Sequence, residues 1–104
     1  MKVLALGAHP DDIEIFMFGT LAAYAAQGAE LTFAIATDGA RGGPGDPGHL
    51  ARVRREEATA AAALLGAIPR FLDFPDGALV ADAALIGALK ALITQTRPDL
   101  VITH

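Results

Sequence analysis

Apolar positions along the chain follow two rhythms. Short apolar-rich runs at Val3 to Gly7, Leu31 to Thr37, Arg70 to Phe74 and Leu100 to Thr103 have the length and β-branched or aromatic content of strands. Between them the apolar residues recur at helical spacing. A first helix is expected from Asp11 or Asp12, either of which can cap free backbone N–H groups. It would bury Ile13, Phe16, Met17, Thr20, Leu21 and Tyr24 on one face and stop at Gly28. A second helix runs from about Leu50 to Leu65 and ends at Gly66; its Ala58–Ala63 stretch favours helix and allows close packing. A third covers roughly Asp82 to Thr96, with Leu85, Leu89 and Leu92 on one side and Pro98 breaking it. Asp38 to His49 is too dense in Gly and Pro for a regular element and reads as a long loop. Pro75-Asp76-Gly77 is a turn.

The resulting order, β-α-β-loop-α-β-α-β, specifies the α/β class: a Rossmann-like, mainly parallel sheet with right-handed helical crossovers and helices on both faces. The expected strand order is 3-2-1-4, because the chain moves outward from the first strand and then returns to its other side. A topological switch then lies between strands one and four, and sites in such sheets form at the carboxyl ends of strands beside the switch. His9 follows strand one and His104 ends strand four, so this order puts both histidines in one crevice.

Composition narrows the picture. At 104 residues there is room for one domain, yet 53% of residues are hydrophobic, a high share for so short a chain. Such a surplus implies burial against a partner, a homo-oligomer included, or against the rest of a larger domain whose sheet is incomplete here. The net charge of −4 argues against a nucleic-acid partner, since the only basic cluster, Arg52, Arg54 and Arg55, is followed at once by Glu56 and Glu57. No stretch reaches the ~18 apolar residues of a membrane span, and the N-terminus does not read as a signal peptide. The chain has no cysteine, so any metal must use nitrogen and oxygen ligands, and a cytoplasmic location is the expectation.

The candidate chemistry lies in Ala8-His9-Pro10-Asp11-Asp12-Ile13-Glu14, where a buried strand runs directly into a helix. His9 and Asp12, three residues apart at a helix entrance, can converge on one side of the turn, and an imidazole nitrogen with a carboxylate oxygen suits Zn²⁺. Asp11, between them, is left to act as a general base on water. Glu14 would lie one turn on and orient His9. The alternative is a capped helix start with an incidental histidine, since acidic residues favour helix N-termini in any case.

This motif resembles the opening motif of the LmbE-like, PIG-L-type zinc-dependent deacetylases, which remove acetyl groups from N-acetylglucosamine-type amides. The likeness extends through Thr37-Asp38-Gly39 with Gly42 and Gly43, Arg54-Arg55-Glu56-Glu57-Ala58 with Leu65-Gly66, Phe74-Pro75-Asp76-Gly77, and Arg97-Pro98-Asp99-Leu100-Val101. The resemblance implies that His9 and Asp12 ligate zinc and that Asp11 is the base. Arg54 matches an arginine near the sugar, and Asp76 an acidic or polar position in the same pocket. Asp38 is a further substrate-binding candidate, although Asp-Gly is also a common turn. Residues 1–104 are then the N-terminal part of a single deacetylase domain, acting on a small N-acetyl amino sugar or glycoconjugate. The family draws its third zinc ligand from a later His-Pro-Asp-His-like stretch, which does not occur before His104. By position His104 is not that residue, and it would substitute only under the 3-2-1-4 order. His49 reads as a surface residue of the loop.

Two other readings remain open at this level. A Rossmann-like nucleotide-binding module shares the architecture, but Gly-x-Gly-x-x-Gly is missing after the first strand and two aspartates there would repel phosphate. A non-catalytic fragment lacking the third ligand is the other.

Overall fold

A computed structural model describes all residues from Met1 to His104. Seven elements alternate: β1 (Lys2–Gly7), α1 (Asp12–Ala26), β2 (Glu30–Thr37), α2 (Pro47–Leu64), β3 (Ile68–Phe74), α3 (Ala83–Thr96) and β4 (Leu100–Thr103). All pairings are parallel, and the sheet order is β3-β2-β1-β4. The expected order 3-2-1-4 is therefore the one found. β1 is central, flanked by β2 (Val3 opposite Leu31, Ala5 opposite Phe33) and by β4 (Ala5 opposite Ile102).

Side-chain alternation along the two central strands separates two cores. Val3 and Ala5 with Leu31, Phe33 and Ile35 face α1 and α2, and pack on Ile13, Met17, Leu21, Ala58 and Ala62. Leu4 and Ala34 face the other way and meet Leu92 of α3. Helices thus cover both faces, the first far more heavily than the second, and Ile86, Ile93 and Val101 stay exposed. No helix is long and apolar enough to cross a membrane.

Three expectations need correction. The second helix begins at Pro47, three residues earlier than its apolar pattern suggests, because Asp46 accepts the His49 N–H at 2.8 Å and Pro47 occupies the first turn, where its missing N–H costs nothing. In the sequence pattern this Asp-Pro pair falls within the Gly- and Pro-rich loop. The third strand starts at Ile68 rather than Arg70. On the first helix, the buried stripe is Ile13, Met17 and Leu21, whereas Thr20 is exposed and Phe16 is 63% exposed. Phe16 instead stacks on the His104 ring, with centroids 5.3 Å apart and planes 14° apart.

Candidate metal and acid–base site

The carboxyl end of β1 sets the site. After Gly7 the chain turns through Ala8 to Asp11 into α1. Thr37, at the end of β2, pins the turn by donating both its backbone N–H (2.9 Å) and its hydroxyl (2.8 Å) to the Ala8 carbonyl. A side chain on Gly7 would meet Ile13 Cγ1 at 3.1 Å, so the close packing of strand end on helix start favours glycine there.

Asp12 is buried, and its Oδ2 faces upstream: it accepts the His9 N–H at 2.7 Å and lies 3.3 Å from His9 Nδ1. The two candidate ligands therefore converge. Two corners of a zinc tetrahedron with arms of ~2.0–2.1 Å stand about 3.3–3.4 Å apart. The pair fits two zinc positions by donor type and spacing. No group of three or more His, Cys, Asp or Glu side chains is disposed to hold a metal ion.

Asp11 is the N-cap residue of α1 but makes no side-chain cap bond. Asp12 and Glu14 still place acidic side chains in the first turn, where the helix dipole favours them. The Asp11 carboxylate is 52% exposed and forms an ion pair with Arg54 Nη2 at 3.3 Å. Its backbone adopts φ 136°, a conformation costly for a residue with a side chain and retained only where surrounding contacts over-determine it.

The remaining candidates make the following contacts. Asp76, only 7% exposed at its side chain, places Oδ1 3.1 Å from His9 Nε2 and accepts the Arg41 N–H on Oδ2 at 2.9 Å. It therefore orients the imidazole, the task the sequence suggested for Glu14. Glu14 forms no hydrogen bond with His9. Burial pushes the Glu14 carboxyl above its usual range, the Asp11 and Asp12 charges add to the rise, and a backbone hydrogen bond opposes it. Asp38 Oδ1 accepts the backbone N–H groups of Ala40 (3.0 Å) and Asp76 (3.3 Å), tying the loop after β2 to the Asp76 turn. Arg54 sends its guanidinium to two backbone carbonyls and to Asp11.

The strand order brings His104 to the site as expected: Nε2 lies 3.3 Å from Asp12 Oδ2. The same nitrogen accepts the Ala8 N–H at 3.1 Å, so its lone pair is engaged and His104 does not complete a ligand set in this arrangement. His49 is exposed on the first turn of α2. The sequence reading missed the roles of Phe16 and Asp76. Helical spacing makes Phe16 a core residue, and Asp76, a pocket candidate in the sequence, shows its contact with His9 only in space.

Beside this corner a cavity of about 270 Å³ is lined by Pro10, Thr37, Asp38, Arg52, Arg55 and Asp73, among others. A second carboxyl-end cavity, about 170 Å³, lies at the switch between β1 and β4 and is lined by Leu6, Gly7, Ala8, Ala36, Thr103 and His104, among others. A larger one, about 330 Å³, opens at the amino ends of the strands around Lys2, Glu30 and Ile68, away from every candidate group.

The family described as GlcNAc-PI de-N-acetylase (PIG-L) matches residues 4–104. A 1D-myo-inositol 2-acetamido-2-deoxy-alpha-D-glucopyranoside deacetylase from Rhodococcus erythropolis is 30% identical over 99% of this chain and 45% of its own length. A 4-oxalmesaconate hydratase from Pseudomonas putida is 30% identical over 99% of this chain and 43% of its own. Among solved structures, N,N'-diacetylchitobiose deacetylase from Pyrococcus horikoshii superposes with a TM-score of 0.92 at 32% identity, covering 96% of this chain and 39% of that one. The chain thus spans less than half the length of these relatives.

Proposed function

Because the chain belongs to the GlcNAc-PI de-N-acetylase (PIG-L) family, we propose that it carries the metal-binding motif and general base of a zinc-dependent hydrolase that deacetylates an N-acetylglucosamine-type sugar or conjugate. Residues 1–104 form the N-terminal part of that single catalytic domain, with the third metal ligand supplied from outside the pair described here. The observation that carries the reading is the convergence of His9 Nδ1 and Asp12 Oδ2 at 3.3 Å with an uncapped, exposed Asp11 carboxylate beside them.

When bound, zinc supplies positive charge that acidifies a water and polarises an acyl oxygen. His9 and Asp12 would hold it, and Asp76 keeps the His9 ring turned with Nδ1 toward Asp12. Asp11 takes the proton from water as the oxygen–carbon bond forms. The carbon–nitrogen bond then breaks and the proton passes to the amine nitrogen, giving acetate and a free amino sugar. The cavity bounded by Pro10 and Thr37 is open to receive the rest of the substrate.

A second reading, addition of water to a polarised double bond of a polycarboxylate, has two supports: the hydratase relative, and Arg52 and Arg55 in the adjoining cavity. Both reactions use a polarised carbonyl and a base. The test is acetate release from N-acetylglucosaminyl-inositol and N,N'-diacetylchitobiose, before and after chelation and with zinc restored. Zinc-dependent release is the expected result. Turnover of an unsaturated tricarboxylate with no acetate release from either amide would replace the first reading by the second.

A further inference from the structure

Arg54 lies on α2, yet its guanidinium ends at the entrance of α1. Nη1 donates to the Gly39 carbonyl at 2.9 Å, and Nη2 donates to the Pro10 carbonyl at 2.7 Å and stands 3.3 Å from Asp11 Oδ2. The passage exists because two residues lack side chains. A Cβ on Gly39 would lie 2.8 Å from both Nη1 and Pro10 Cδ, and one on Gly42 would overlap Nη1. Gly39 also needs its positive φ of 67°, but Gly42 does not have one, so at Gly42 clearance for the guanidinium is the reason for glycine.

The Pro10 carbonyl belongs to the peptide that enters Asp11, the residue held at φ 136°. Arg54 therefore grips both the peptide plane before Asp11 and the Asp11 carboxylate. The Arg54 side chain is only 15% exposed, so its bonds to the two backbone carbonyls are partly shielded from water, whereas the Asp11 carboxylate it reaches is 52% exposed. Lysine could not replace it, since an ammonium is a single point of donation whereas the planar fork reaches separate acceptors.

We propose that Arg54 is a positioning residue for Asp11: threaded through the gap left by Gly39 and Gly42, it holds the strained backbone and sets where the carboxylate stands relative to His9 and Asp12. This rests on Asp11 being the base of the reaction proposed above, and it differs from the sugar contact that family resemblance suggests for Arg54.

The test uses Arg54→Lys, Arg54→Met, Gly42→Ala and the Gly42→Ala/Arg54→Met pair in the intact protein. Misplacing a reacting group by about 1 Å costs on the order of 100-fold in rate, so kcat should fall by roughly that factor while KM stays within about twofold. Gly42→Ala, which touches no reacting group, should reproduce the loss, and the double variant should be no worse than the worse single one, because both remove one interaction. Arg54→Lys should not rescue. A rise in KM with kcat preserved would make Arg54 a substrate contact and overturn the proposal, as would additive losses in the double variant. An independent readout is NMR of the Asp11 amide and of guanidinium rotation. Gly42→Ala should shift the first and speed the second. If the parent protein hydrolyses no amide, the proposed function fails, and the clamp is then judged on NMR alone: an unmoved Asp11 amide in Gly42→Ala refutes it.

Discussion

Removing Asp76 should weaken zinc binding without unfolding the protein. Its carboxylate does two things: Oδ1 meets His9 Nε2 at 3.1 Å, and Oδ2 accepts the Arg41 N–H at 2.9 Å. The second bond lies in an exposed loop, where water can take over, so its loss should cost no more than about 1 kcal/mol of stability. The first fixes the ring of a ligand that is itself 46% exposed at its side chain and has few other restraints. Loss of such an outer partner typically lowers metal affinity about 10–100-fold, which is about 1.4–2.8 kcal/mol. Asp76→Asn keeps an oxygen for the His9 N–H but loses the charge, so it should fall between parent and Asp76→Ala. Competition titration against a chromophoric chelator reads the affinity, and urea unfolding of the metal-free proteins reads the stability. Unchanged zinc affinity in Asp76→Ala, with His9 intact, would refute the idea that this buried acid aims the imidazole.

Leu21 is fully buried between α1 and the sheet, so Leu21→Ala should cost about 2–5 kcal/mol in urea unfolding; a loss below about 1 kcal/mol would mean the α1 face is not the core. Glu14→Gln should stabilise the metal-free protein at neutral pH. The Glu14 carboxyl is raised in the folded state, chiefly by burial, so the fold binds its proton more tightly than the unfolded chain does. Its contribution is therefore lost as pH rises from the ordinary value of 4.5 through the folded one, and parent and variant should converge below 4.5. A parent that gains on Glu14→Gln as pH rises would contradict this.

Much of the architecture was readable because it depends on local rules. The run Val3–Gly7 was apolar enough to be the central strand, and the alternation of strands and helices left few topologies, of which 3-2-1-4 is the one found. That order is also why His104 arrives beside Asp12. The convergence of His9 and Asp12 followed from spacing at one helix entrance. What the sequence hid depends on contacts between distant segments. Asp76 is 67 residues from His9, and nothing in Pro75-Asp76-Gly77 separates a turn residue from a histidine partner. Phe16 obeys helical spacing but faces the crevice rather than the core, since α1 is apolar on nearly all sides and periodicity alone cannot choose its buried face. The Pro47 start of α2 was masked by the glycines around its own cap.

The division of labour among three neighbouring residues is the centre of this account, and the zinc content of Asp11→Ala and Asp12→Ala, measured by elemental analysis after reconstitution, tests it most directly. Asp11→Ala should keep the parent's zinc stoichiometry and lose turnover, whereas Asp12→Ala should lose the metal. An Asp11→Ala protein that no longer retains zinc, or an Asp12→Ala protein that binds it as the parent does, would contradict the assignment.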